Sequence, residues 1–92
     1  NMDLRYANNT AGTWQKFIVD PEGDTGYDSS IAIDSKDGIH ISYSDAENGD
    51  LLYATNSEGD WKLYIMEDTV EVRYHSSIAI DSLDQFHISY YS

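Results

Sequence analysis

The amino-acid sequence predicts an all-β fold made from two copies of one 47-residue repeat. Displacing the sequence along itself by 47 residues, without a gap, aligns residues 1–45 with 48–92, and 22 of these 45 positions are identical. The identities cluster in short runs rich in Ile, Tyr and Trp, which are typical of strands and are separated by Gly, Asp, Asn and Ser turn residues. The chain is therefore expected to consist of two repeated sets of short strands.

Each repeat carries four strand-like runs, named a to d in chain order. In the one complete unit they are residues 29–35 (a), 39–44 (b), 51–55 (c) and 61–66 (d). The connections contain Asp-Gly and Asn-Gly pairs, which supply the positive φ angles that tight hairpin turns require. Four consecutive antiparallel strands are thus predicted in each repeat.

The apolar pattern predicts that these sheets are buried on both faces. Strand a reads Ile-Ala-Ile and strand c reads Leu-Leu-Tyr-Ala, whereas a sheet with one wet face would alternate strictly. A period of 40 to 50 residues with four strands per unit is the mark of β-propeller blades, which stack face to face around an axis. The sequence therefore predicts a β-propeller with two blade repeats per chain.

The repeat begins in the middle of a blade. Residues 1–19 hold strands c and d, residues 27–66 a complete blade, and residues 74–92 strands a and b. A chain of 92 residues without cysteine has no disulfide to stabilise it, and two blades alone would leave outer faces in water. We expect a homo-oligomer that closes the ring, with six blades from three chains favoured.

The charge balance limits the partners. Seventeen acidic and five basic residues give a net charge of −12, which argues against nucleic acid and anionic membrane surfaces. Cations, basic proteins and neutral sugars stay open as ligands. The sequence has neither a transmembrane run nor a signal-peptide pattern, and it leaves the localisation undetermined.

Most of the carboxylates are expected on one face of the disc, where the d–a and b–c connections emerge. A calcium ion would suit such a face, but the spacing lacks an EF-hand pattern, so a solvated acidic rim is favoured and no metal or other cofactor is assigned. The acidic residues on this face are Asp3, Asp20, Glu22, Asp24, Asp28, Asp45, Glu47, Asp50, Glu67, Asp68 and Glu71.

Candidate ligand-binding residues stand where the two repeats differ beside common structure. In the d–a connection Gly26-Tyr27-Asp28 becomes Arg73-Tyr74-His75, and Ser44-Asp45 becomes Tyr91-Ser92. A cation beside an aromatic ring and an imidazole can stack on a sugar and bond its hydroxyls, although ordinary loop divergence would give the same differences. The predicted ligand-binding set is Arg73, Tyr74, His75, Trp61, Trp14 and Tyr91.

The repeated histidines are expected to be structural. His40 and His87 each follow an aspartate by six residues, Asp34 and Asp81, and a catalytic base would be needed only once. We expect each imidazole to bond across the a–b hairpin to Asp or Ser. No catalytic residue is assigned, because no carboxylate pair stands in a buried, apolar setting that the sequence reveals.

The repeat resembles the blade repeat of bacterial and metagenomic β-propellers, through the pattern S-x-A-x-D-x-x-D-x-x-H-I-S-Y followed by L-x-Y-A and G-x-W. The c–d turn before Trp61 is similar to a degenerate Asp-box of sialidase-type propellers. In organisation the chain resembles two-blade fucose-binding lectins, in which three short chains form a six-bladed ring with sugars between blades. This last resemblance concerns architecture only. Carbohydrate binding is the favoured function because Tyr and Trp residues with polar loops suit shallow pockets between blades; an interaction scaffold with an acidic face and, less favoured, a glycosidase-type enzyme are the alternatives.

Overall fold

Eight β-strands form three antiparallel sheets in the computed structural model, which describes residues 3–22, 24–45, 49–67 and 74–91. The all-β prediction is confirmed, since the described residues contain no helix. The strands are β1 (Leu4–Asn8), β2 (Gln15–Asp20), β3 (Thr25–Ile33), β4 (Ile39–Asp45), β5 (Leu51–Thr55), β6 (Lys62–Glu67), β7 (Tyr74–Ile80) and β8 (Phe86–Tyr91). No described helix is long and apolar enough to cross a membrane.

The three sheets differ in size. β1 and β2 form the N-terminal sheet, β3 to β6 the central sheet in chain order, and β7 and β8 the C-terminal sheet. The predicted runs a to d correspond to β3 to β6, and run c coincides with β5. β3 begins four residues earlier than predicted, because pairing continues from Ser30 to Thr25 across irregular steps around Tyr27.

The strand connections alternate between two ends of the sheets. We call one end the turn end; it carries the hairpin turns at residues 9–14, 34–38, 56–61 and 81–85. We call the opposite end the link end; the chain passes there between β2 and β3 and between β4 and β5. In the turn between β3 and β4 the positive φ falls on Asp37 (65°), and Asp84 (59°) repeats it between β7 and β8. The glycine predicted for this role, Gly38, has no positive φ.

The hydrophobic core lies between the N-terminal and central sheets. It is built from Leu4, Val19, Ile39, Ile41, Tyr43, Leu52 and Ala54, with Tyr6 and Trp61 packed against it. β4 is buried from Ile39 to Ser44, which agrees with a strand covered on both faces. The side chains of Leu63 to Met66 in β6 are exposed, so burial is concentrated in the middle of the molecule.

Candidate functional site

A cleft of about 710 Å³ opens at the turn end between the N-terminal and central sheets. We call it the first cleft. One wall comes from the β1–β2 hairpin, and the other comes from the turns at 34–38 and 56–61 of the central sheet. Its lining residues are Tyr6, Asn8, Thr10, Phe17, Ile33, Asp37, Ile39, Asn56, Gly59, Asp60 and Trp61.

Three aromatic side chains make the apolar part of the first cleft. The rings of Tyr6 and Phe17 stack with centroids 5.9 Å apart, and Trp61 meets Tyr6 edge-on at 5.7 Å. The chain reverses before Trp61 through Gly59, whose φ of 110° favours a residue without Cβ. The result is a fixed aromatic surface, because edge-on and offset ring pairs are favourable arrangements.

A side-chain amide holds the two turns of the central sheet together. Asn56 Oδ1 accepts a hydrogen bond from the Ile39 N–H at 2.8 Å, and the Asn56 N–H donates to the Ile39 carbonyl at 3.3 Å. The Gly59 N–H closes the turn on the Asn56 carbonyl at 2.9 Å. Trp61 is therefore carried by a turn that is bonded to the neighbouring hairpin, which fixes its position at the cleft.

Polar groups complete the wall of the first cleft. Asn8 Oδ1 accepts hydrogen bonds from the N–H and hydroxyl of Thr10, at 3.1 and 2.9 Å. Asp37 and Asp60 are exposed and bring carboxylates to the same cleft. Because carboxylates and amide oxygens accept hydrogen bonds, the cleft offers acceptors for a ligand rich in hydroxyl or ammonium donors.

A second cleft of about 530 Å³ lies between the central and C-terminal sheets. Its aromatic residues again contact one another: Tyr53 lies 5.8 Å from Tyr64 and 6.0 Å from Phe86, measured between ring centroids. The lining residues are Tyr53, Thr55, Ser57, Glu58, Tyr64, Met66, Phe86 and Ile88. We call it the second cleft.

His40 joins Asp34 and Tyr53 in a buried network beside the second cleft. Its Nε2 lies 2.8 Å from Asp34 Oδ2 and its Nδ1 lies 2.6 Å from the Tyr53 hydroxyl. The ring of Phe86 covers the imidazole at a centroid distance of 4.1 Å, and the His40 side chain is fully buried. Both ring nitrogens are thus occupied, so His40 has no nitrogen left to accept a proton from a substrate.

The aspartate partners of the two histidines are held in the same way. Two hydrogen bonds lower the pKa of Asp34: the larger effect comes from His40 and the next from the Gly38 N–H. In the other repeat His87 Nε2 lies 3.0 Å from Asp81 Oδ2, and this contact, followed by the backbone N–H groups of Gln85 and Leu83, lowers the pKa of Asp81. The prediction that each histidine bonds to Asp across its hairpin is confirmed.

Some carboxylates of the link end serve the structure. Tyr43 is buried, and its hydroxyl donates a hydrogen bond of 2.8 Å to Asp20 Oδ2. Burial, together with the negative charge of Asp20, raises the pKa of Tyr43 above its ordinary value. No group of three or more His, Asp or Glu side chains within the described ranges is arranged to hold a metal ion.

The predicted ligand-binding residues are distributed over both ends of the molecule. Trp61 lines the first cleft, and Trp14 lies on the turn between β1 and β2, where it is 66% exposed. The backbones of Tyr74 and Tyr91 pair with each other at the link end, whereas Trp61 lies at the turn end. Arg73 lies outside the described residues, as do the side chains of Tyr74, His75 and Tyr91.

Sequence reasoning missed most of the residues that accompany Trp61. Tyr6 and Phe17 are outside the predicted ligand-binding set, as are Asn8, Asp37 and Asn56. They reach the cleft from different sheets, which local sequence does not bring together. The recurrence of Tyr6 as Tyr53 and of Trp14 as Trp61 was the one available indication.

No protein-family model, curated protein or solved structure matches the chain significantly. The functional assignment accordingly rests on the geometry of the clefts and on the repeat.

Proposed function

We propose that the protein binds carbohydrate, and that the first cleft is the binding site. The observation that carries the proposal is the fixed aromatic surface of Tyr6, Phe17 and Trp61 beside the polar side chains of Asn8 and Asp60. Concave sites with an apolar lining and a few placed polar groups are the usual form of small-ligand sites. The sugar lies against the aromatic rings, and its hydroxyls donate to the amide and carboxylate oxygens.

Charge selects among sugars. Asp37 and Asp60 line the cleft, and the whole chain carries −12. A sialylated or sulfated glycan would meet repulsion from these carboxylates, whereas a neutral or amino sugar would not. The proposed ligand is therefore a neutral or cationic saccharide.

The proposed framework is a β-propeller closed by three chains with six blades. Its support is the sheet order, in which two two-stranded sheets flank one four-stranded sheet, together with the resemblance of the repeat to propeller blades. In this arrangement strands β7 and β8 of one chain and β1 and β2 of the next form one blade, as β3 to β6 do within a chain. The scaffold and glycosidase alternatives are less favoured: a scaffold would not need the aromatic surface of the first cleft, and no catalytic residue is assigned for a glycosidase.

The test is a glycan array followed by calorimetric titration of the best ligand. Trp61→Ala and Asp60→Ala are each expected to weaken binding about tenfold or more, since they remove a stacking surface and an acceptor. Leu83→Ala is the matched control, because Leu83 is exposed on the turn of the C-terminal sheet and lines neither cleft. Melting curves of all variants verify folding. An array without binding, or unchanged affinity in both cleft variants, would overturn the proposal.

A further inference from the structure

The aromatic rings of the first cleft form a corner. Tyr6 and Phe17 are directly opposite each other on β1 and β2, so their rings lie on one face of the N-terminal sheet, with an angle of 22° between their planes. The ring of Trp61 comes from the central sheet and is inclined by 61° to that of Tyr6. The ring centroids of Phe17 and Trp61 lie 5.9 and 5.7 Å from that of Tyr6, so one bulky group in the corner contacts more than one ring.

The charged side chains that line this cleft are carboxylates. Asp37 stands on the turn between β3 and β4 and Asp60 on the turn between β5 and β6, and both are exposed. No Lys, Arg or His is found among the described lining residues. The net charge of −12 on the whole chain acts in the same direction. The first cleft is therefore an aromatic site in a negative field, which favours a cation.

The lysine that follows Asp60 by two residues is directed at another carboxylate. Lys62 Nζ lies 3.0 Å from Glu58 Oε1. The hydrogen bond and the charge of Glu58 are the largest causes of the raised pKa of Lys62, whereas the charge of Asp60 is the smallest. Glu58 lines the second cleft, so the carboxylate of that cleft is balanced by a lysine. The preference for a cation thus belongs to the first cleft.

Aromatic faces also select the kind of cation. A primary ammonium group carries three N–H donors, which lose water in the corner and find ring faces in place of oxygen acceptors. A trimethylammonium group has no N–H, and its charge is spread over methyl groups that pack against rings. Several aromatic rings around one such group are a common means of binding it. The corner therefore suits a methylated ammonium better than a primary amine.

The same carboxylates limit the rest of the ligand. The phosphate of a phosphocholine headgroup or the carboxylate of a betaine would be repelled by Asp37 and Asp60. A hydroxyl would instead be accepted, because the amide oxygens of Asn8 and Asn56 belong to the same cleft or its turns. The ligand expected from this lining is a small amine with a net positive charge and an alcohol group.

We propose that the first cleft binds a small cationic alcohol that carries a trimethylammonium group, of which choline is the simplest probe. The methyl groups lie against the rings of Tyr6, Phe17 and Trp61, and Asp60 faces the positive charge. This ligand class differs from the saccharide of the proposed function, and the inference does not rest on that function. Because both ligands would use the same rings, they would compete for the cleft.

The first arm of the test compares ligands. Trp14→Phe leaves Trp61 as the only tryptophan, so its emission reports on the first cleft while choline is added. The control ligand is the uncharged isostere of choline, in which a tert-butyl group replaces the trimethylammonium group. Choline is expected to bind about tenfold more tightly than this isostere, because the ring faces attract its charge. Phosphocholine should bind more weakly than choline. Equal affinity of choline and its isostere would overturn the inference.

The second arm compares a matched pair of variants in the Trp14→Phe background. Phe17 and Tyr64 occupy equivalent positions in the two repeats, but Phe17 lines the first cleft and Tyr64 the second. Phe17→Ala is expected to weaken choline binding about fivefold or more, and Tyr64→Ala to leave it unchanged. Asp60→Asn should weaken binding about threefold and reduce its salt dependence. Unchanged affinity in Phe17→Ala, or an equal loss in Phe17→Ala and Tyr64→Ala, would overturn the site.

The third arm keeps the shape of the cleft. Fluorinated tryptophans are incorporated at Trp61 in Trp14→Phe, and choline binding is measured by calorimetry. Each fluorine withdraws electron density from the ring face, so the dissociation constant of choline is expected to rise stepwise with the number of fluorines. A dissociation constant that does not depend on fluorine would overturn the contact between the ammonium group and the indole face.

The inference and the proposed function fail separately. Choline that binds as described while the glycan array stays blank supports the inference and overturns the proposed function. A saccharide that binds in the first cleft while choline does not bind overturns the inference alone. Where both bind, saturating choline is expected to displace the saccharide, and simultaneous binding of the two would overturn the placement of choline in the first cleft.

Discussion

His40 shows how a single residue fixes both a hairpin and the contact between two sheets. Its imidazole is bonded to Asp34 and Tyr53, and it lies under Phe86 of the next sheet. The carboxylate of Asp34 also accepts the N–H groups of Lys36 and Gly38 at 2.9 and 2.7 Å, so one aspartate organises the whole turn. The spacing of Asp and His in the sequence revealed the bond between them, but it could not reveal Tyr53 or Phe86, which arrive from other strands.

Replacing His40 should therefore be costly. We expect His40→Ala to lower the free energy of unfolding by about 2–4 kcal/mol, because it leaves buried polar groups without a partner and opens a cavity. Urea unfolding followed by circular dichroism measures the change.

His87→Ala is the matched comparison. The His87 side chain is 63% exposed in the single chain, so its loss there should cost less than about 1 kcal/mol. In the assembled ring the partner's Ile39 would cover it as Phe86 covers His40, and the cost should approach that of His40→Ala. Equal and small losses in both variants would contradict the role given to this network.

The same network predicts a defined response to acid. The folded-state pKa values of Asp34 and Asp81 lie below the ordinary value of 3.8. The two carboxylates therefore stabilise the fold fully at a pH above their pKa in the unfolded chain. This stabilisation is lost as the pH falls through their lower pKa values in the folded chain. The urea concentration at the midpoint of unfolding should therefore decrease when the pH is lowered below about 4, because these two carboxylates become protonated.

A difference measurement isolates this effect, because neutralising other carboxylates also relieves repulsion in a chain of charge −12. Asp34→Asn with Asp81→Asn should be less stable at pH 7 and should lose less on going to pH 3 than the wild type does. Parallel acid profiles of the variant and the wild type would show that the two aspartates contribute nothing to the pH dependence.

At the scale of strands and turns, periodicity predicted most of the architecture. Run c coincides with β5, and run d begins one residue before β6, because Trp61 belongs to the turn. β3 was predicted too short, since Gly26 and Asp28 resemble loop residues; the strand accommodates them with φ angles of 90° and 50° at irregular steps of the ladder. Such irregular pairing depends on the partner strand β4 and has no local signature.

Hydrogen exchange tests which strand edges are covered. Amides of β4 and β5 should exchange most slowly, since both strands pair on two sides. In the proposed assembly β8 pairs with β7 and with the partner's β1, so β8 should become protected as the protein concentration rises. Mass spectrometry of β8 peptides at low and high concentration measures this. Fast exchange, at every concentration, of the β8 amides that do not bond to β7 would exclude the added strand.

At the scale of the whole molecule, equivalent residues of the two repeats differ in burial according to their distance from the centre. Tyr43 is fully buried while its counterpart Tyr90 is 44% exposed, although the three residues before each tyrosine are the same. Apolar residues on the outer faces are a cost to a soluble monomer and a gain to an assembly. The repeat pattern predicts a partner that covers these faces, and this stays a prediction. The pattern could not locate the cleft, because a cleft between sheets depends on how they pack.

The central claim is that the chain completes its outer sheets with further copies of itself. The mass of the native protein in solution, measured by multi-angle light scattering, tests this claim most directly. The account predicts three times 10.4 kDa, about 31 kDa, and cooperative unfolding of that species. A particle of 10.4 kDa that unfolds cooperatively at every concentration would contradict it, because one chain would then be stable with both outer faces in water.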